Sequence, residues 1–102
     1  MINYTWTTNV ITNPSVTIEG TTYEDVVEEI TWRCTGIDSD TDNTAFEEQT
    51  WEVPFENPAT FVSFDSLNTD LVVSWIMTDD EKDNQIRQVN RKIDRLNNTK
   101  EL

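Results

Sequence analysis

Histidine is absent from this 102-residue chain, and cysteine occurs once, as Cys34. No intrachain disulfide can form, the Cys/His sets of zinc fingers are missing, and nucleophile–histidine catalysis has no base. Glycine occurs only at Gly20 and Gly36, too few for a phosphate-cradling loop. No stretch approaches the about 20 apolar residues of a membrane span, and Met1-Ile2-Asn3-Tyr4 does not open like a signal peptide. Bases are scarce as well. Seven Lys and Arg face twenty Asp and Glu, for a formal net charge of -13. The expectation is a single acidic domain over 1–102, without a cofactor or catalytic residue, that acts by touching other proteins and is not an enzyme.

The charge divides near Asp80. Residues 1–80 hold sixteen acids against Arg33 alone, whereas 81–102 hold Lys82, Arg87, Arg91, Lys92, Arg95 and Lys100 with four acids. An acidic body repels nucleic-acid phosphates, so no direct nucleic-acid binding and no membrane partner are expected.

What is present reads first as strands. Tyr4, Trp6, Thr8 and Val10 alternate with Thr5, Thr7 and Asn9, until Asn13-Pro14 interrupts the run. Ser15 to Ile18 resumes it, and Glu19-Gly20-Thr21-Thr22 supplies a turn. From Glu24 to Ile37, Val26, Ile30, Trp32 and Cys34 share one parity, and Val27, Glu29, Thr31, Arg33 and Thr35 the other. Glu28 breaks the apolar parity, which places it near a strand end or the rim. After a polar hairpin loop at 38–43, a third strand is expected from Thr44 to Phe55. Because Phe46 opposes the parity of Trp51, Val53 and Phe55, that strand needs a bulge between Glu47 and Thr50 if all face the core. Pro54 and Pro58 bracket its exit.

The period then changes to about 3.6. Leu71, Val72, Trp75 and Ile76 form one helical face within the 57–77 segment. Thr78-Asp79-Asp80-Glu81 is a capping box that opens a second, mildly basic helix over 78–98, followed by a 99–102 tail. Its apolar positions, Ile86, Val89, Ile93 and Leu96, form a narrow seam that either closes over the sheet or docks on another subunit; they are the candidate partner-binding residues. Asp83 and Arg87 stand at favourable i,i+4 spacing, and Arg91, Lys92 and Arg95 suit the negative helix end. The fold class is therefore α+β: a three-stranded antiparallel β-meander followed by two C-terminal helices. Trp6, Trp32, Trp51 and Trp75 are expected to share the sheet–helix core.

Two acidic features invite a chemical reading. Asp38, Asp40 and Asp42 alternate as in a calcium loop, but Asn43 and Gln49 stand where the turn glycine and bidentate Glu belong. No metal site is assigned to them. Paired carboxylates are too abundant to mark any one pair as catalytic, and Cys34 reads as an inert buried thiol.

Tyr4-Thr5-Trp6, the run from Val26 to Asp38, Phe61 to Leu67 and Leu71 to Ile76 together resemble a family of small uncharacterised proteins of tailed phages infecting marine bacteria and cyanobacteria. The resemblance covers most of the chain. Members commonly have Gly in the loop after Thr-Gly-x-Asp-x-Asp, where this sequence has Asn43. It implies a virion component, such as a capsid decoration or tail accessory subunit, whose partners are other phage structural proteins or further copies of itself. The alternative is an inhibitor in the host cytoplasm that mimics nucleic-acid charge through the Glu29, Glu48 and Glu52 face.

Overall fold

The computed structural model describes residues 1–53, 55 and 61–102. Strands β1 (Ile2–Ile18), β2 (Thr21–Asp38) and β3 (Thr44–Glu52) form one antiparallel sheet in the order β1-β2-β3. A 3-10 turn, Phe64–Ser66, precedes helices α1 (Thr69–Ile76) and α2 (Asp79–Asn97). This is the α+β arrangement expected from the change of period.

The β1–β2 hairpin closes on Glu19 and Gly20, whose φ angles of 50 and 81° are both positive. A two-residue turn with two left-handed positions matches the twist of the flanking strands, and glycine supplies the second without steric cost. Tyr4, Trp6, Thr8 and Val10 then stand opposite Gly36, Cys34, Trp32 and Ile30 on the helix-bearing side of the sheet. Ile30, Trp32 and Cys34 are buried, as their shared parity predicts; Val26 is buried too, but it lies beyond an extra residue in β2 and pairs with Asn13, on the other parity of β1.

One irregularity falls at Asn13-Pro14 as expected, and another lies elsewhere than expected. β1 does not stop at Asn13-Pro14; it runs on to Ile18, with Pro14 and Asp25 outside the paired ladder. β1 is an edge strand, where a missing N–H donor does not break the sheet. Asp25 takes a φ of 50° at this point, and Asn13 Oδ1 accepts the Ser15 N–H at 3.1 Å. The bulge expected in β3 is absent, since Thr44 to Glu52 pair without interruption with Ile37 to Glu29. A bulge instead separates Ile11↔Glu29 from Thr12↔Val27, leaving Glu28 as the extra residue in the middle of β2. Glu28 is exposed there, in mid-strand. β3 ends at Glu52, although the Val53 N–H still donates to Glu28 O at 2.8 Å. Pro54 and Pro58 lie outside the described residues.

Both helices begin on side-chain caps. Asn68 Oδ1 accepts the Leu71 N–H at 2.9 Å. Thr78 Oγ1 accepts the Glu81 N–H at 3.2 Å while Glu81 Oε1 accepts the Thr78 N–H at 3.4 Å, completing the capping box. α2 lies across β2 and β3 with Val89 and Ile93 fully buried. Gly36 permits this approach: a Cβ built there would stand 2.6 Å from Val89 Cγ1 and 3.0 Å from Ile93 Cδ1. The core cluster joins Trp32, Cys34, Ala45, Val73, Met77, Val89 and Ile93, with Tyr4, Trp6 and Ile86 packed at its border.

The four tryptophans do not share that core. Trp32 is buried, its ring 5.6 Å from that of half-buried Trp6. Trp51 stays 41% exposed although it pairs with Ile30, and Trp75 is 39% exposed. Trp75 belongs to a second apolar group, where it lines a hollow of about 70 Å³ with Val26, Val27, Phe61 and Val62. Parity assigns a side of the sheet, but burial requires something on top of it.

The molecule is long. Its principal extents are 66 × 24 × 20 Å and its radius of gyration is 17.7 Å, against about 13 Å for a compact domain of this length. The cause is in the register: β3 accompanies β2 only from Glu29 to Ile37, so beyond the Glu28 bulge the β1–β2 hairpin continues as a two-stranded arm. Tyr23, Phe55 and Phe61 cluster along it, with ring centroids 5.1 to 5.9 Å apart.

Candidate interaction surfaces

The Asp38–Asn43 turn is held by its own chain. Asp38 Oδ1 accepts the Asp40 N–H at 2.9 Å, and Asp38 Oδ2 accepts from Asn97 Nδ2 at 3.0 Å. These bonds, with Asp40 first and Asn97 second, hold the buried carboxyl below its usual range against the opposing effect of burial. Asn97 Oδ1 in turn accepts from Thr41 Oγ1 at 2.9 Å and Asn43 Nδ2 at 2.6 Å. The left-handed residue of the turn is Asp42, with φ 61°, and not Asn43. Among the described residues no three His, Cys, Asp or Glu side chains converge as a metal site. The turn is a clamp between the β2–β3 hairpin and the end of α2.

Cys34 is fully buried, and burial, with Glu47 as a lesser influence, pushes its thiol up to about 11. A thiol that stays protonated at neutral pH is a poor nucleophile.

The seam on α2 divides. Val89 and Ile93 are fully buried against the sheet, Ile86 is half-buried at the core border, and Leu96 is 45% exposed. Three of the four residues are therefore engaged within the chain, and Leu96 alone is open.

Leu96 borders a feature that the sequence did not announce. Between β3 and the last turns of α2 runs a groove of about 410 Å³, lined by Ala45, Phe46 and Leu96 with Lys92 and Arg95 beside them. Phe46 is not in the core; it stands opposite Thr35 on the open side of the sheet and is 45% exposed. The Arg33 guanidinium lies 4.3 Å from the Phe46 ring centroid and 3.1 Å from Glu48 Oε2. Lys92 Nζ donates to Phe46 O at 2.9 Å and pairs with Glu47 Oε1 at 3.1 Å, so this stretch of the β3 edge is covered by a cation. The out-of-parity position of Phe46 is the sequence signal of this open site and not of a bulge.

Arg87, Arg91 and Arg95 follow at intervals of four on the exposed side of α2. None has a carboxylate within ion-pair distance among the described residues, and the expected Asp83–Arg87 pair is not closed. The opposite end of the molecule carries the other sign. Glu19, Glu24, Asp25 and Glu28 are exposed on the arm, and no base precedes Arg33 in the sequence.

On the open side of the sheet, Glu29 faces Glu52, Thr31 faces Thr50 through a 2.8 Å hydroxyl contact, and Arg33 faces Glu48. Glu29, Glu48 and Glu52 do share this side, but Arg33 pairs with Glu48 and neutralises that end of the row.

No described helix is long and apolar enough to cross a membrane. Comparison with curated proteins and with solved structures finds no match. A family model does match, over residues 1–101, which takes in the whole of the sheet, arm and helices. The chain belongs to the family described as a domain of unknown function, DUF7936.

Proposed function

We propose that the chain is a small structural subunit of a phage particle, a capsid decoration or tail accessory protein, that works by gripping neighbouring proteins. One observation carries this reading: residues 12–28, about a sixth of the chain, are spent on a two-stranded arm that extends beyond the third strand. A ribbon that runs on past its third strand adds little to the main core and offers the backbone of its β1 edge to a partner. The phage origin comes from the resemblance of the sequence words given above, and localisation to the particle follows from it.

Mass spectrometry of purified particles tests the proposal. The protein is expected at a copy number comparable with other structural subunits. Absence from particles overturns it. The competing reading, nucleic-acid mimicry, draws on Glu29 and Glu52 lying opposite each other on the open side. It is the weaker one, because Arg33 neutralises the Glu48 end of the acidic row. A mimic competes with DNA for a host protein in a salt-dependent manner, and a structural subunit does not.

A further inference from the structure

We propose that this chain associates head to tail with itself, the acidic β1–β2 arm of one copy lying in the β3–α2 groove of the next. The inference rests on the reading of the protein as a structural binding subunit and names its partner.

Charge complementarity selects the occupant. The arm presents Glu19, Glu24 and Asp25, all exposed, in a segment without a single base. At the groove Lys92 is already paired with Glu47, so the cations on offer are Arg95 and, exposed one turn before it, Arg91. The two surfaces cannot meet within one molecule. Asn97 ties the end of α2 to Asp38, at the end of β2 opposite the Glu19-Gly20 turn, and the molecule is 66 Å long. Phe46 and Leu96 are each 45% exposed in the groove and are covered when the arm arrives.

The two contacting surfaces differ, so each copy retains a vacant arm or groove after the first contact. Such heterologous contacts grow into rings or filaments. The net charge of -13 opposes approach at long range. At physiological salt, screening confines that repulsion to about 8 Å and leaves the local pairing to decide. Nucleic acid is the less suitable occupant. Its phosphates would meet a strongly acidic chain and an apolar groove floor.

Sedimentation velocity over about a hundredfold concentration range tests the proposal. Wild type is expected to show a rising sedimentation coefficient in about 0.15 M NaCl and to remain monomeric in about 1 M NaCl. Glu24→Lys and Arg95→Glu, each checked for unchanged circular dichroism, are expected to weaken association about tenfold or more. Mixing the two variants restores it, because native arm meets native groove at one contact and reversed arm meets reversed groove at the next. Wild type that stays monomeric throughout overturns the proposal, as do variants that associate like wild type. Arg95-dependent binding of duplex DNA by wild type also overturns it, by assigning the groove to phosphate. A monomer that is nevertheless abundant in particles removes only the self-association, whereas a self-associating protein absent from particles removes the structural-subunit reading instead.

Discussion

Asn97, in the last turn of α2, donates its side-chain amide to Asp38 at the end of β2 across 3.0 Å, closing a loop of 59 residues. The same side chain accepts from Thr41 and Asn43, so one amide locks helix and hairpin together. Asp38 is stabilised in its charged form, with its folded pKa below its unfolded one. Its contribution is therefore complete above the ordinary carboxylate range and is lost as pH falls through the lowered folded value. Asp38→Asn and Asn97→Ala are each expected to melt earlier than wild type at pH 7. Thermal melts across an acid series check the sign, because the gap between Asp38→Asn and wild type closes only in strong acid.

Gly36 is constrained by space and not by backbone conformation. Gly36→Ala forces a methyl group into Val89 and Ile93, a clash that costs about 1–3 kcal/mol where a packed helix cannot move away. Urea denaturation measures it. An unchanged midpoint would mean that α2 is free to lift from the sheet.

The α2 seam makes a graded prediction. Ile93→Ala, at a fully buried position, is expected to destabilise by about 2–5 kcal/mol. Leu96→Ala, at an exposed one, is expected to fall within about 0.5 kcal/mol of wild type. Equal effects at the two positions would contradict the placement of the helix.

Cys34 is expected to resist thiol reagents in the native protein at pH 8 and to react fully once the chain is unfolded. Burial pushes its pKa up to about 11, so the native thiolate is scarce and the sulfur is also covered. Rapid native labelling would show that the core opens readily.

Much of this architecture was legible from side-chain spacing. The even parity of Ile30, Trp32 and Cys34, the Glu19-Gly20 turn and the Thr78–Glu81 box each express a local rule that tertiary structure did not override. The misplaced bulge has a physical cause. Reading Phe46 as a core residue forced an irregularity into β3, whereas the ring sits on the open side beneath the Arg33 guanidinium. The true sign was Glu28, a carboxylate on an apolar parity, because the extra residue of a bulge is released from that parity. Pro14 left an edge, a bend and a strand end open, and the strand order selects the edge, which spacing alone does not reveal. The groove was hidden for a related reason: it joins β3 to α2 across some fifty residues, and only the packing of the helix brings Phe46 beside Leu96.

The Glu28 bulge has a consequence for how the molecule can be held. Two-stranded ribbons coil more tightly than wider sheets, and an inserted residue adds to the coil. The outward normal at the Glu19-Gly20 tip is thus rotated away from that of the three-stranded part. A flat neighbour can lie against one or the other; only something that winds around the shaft can hold both.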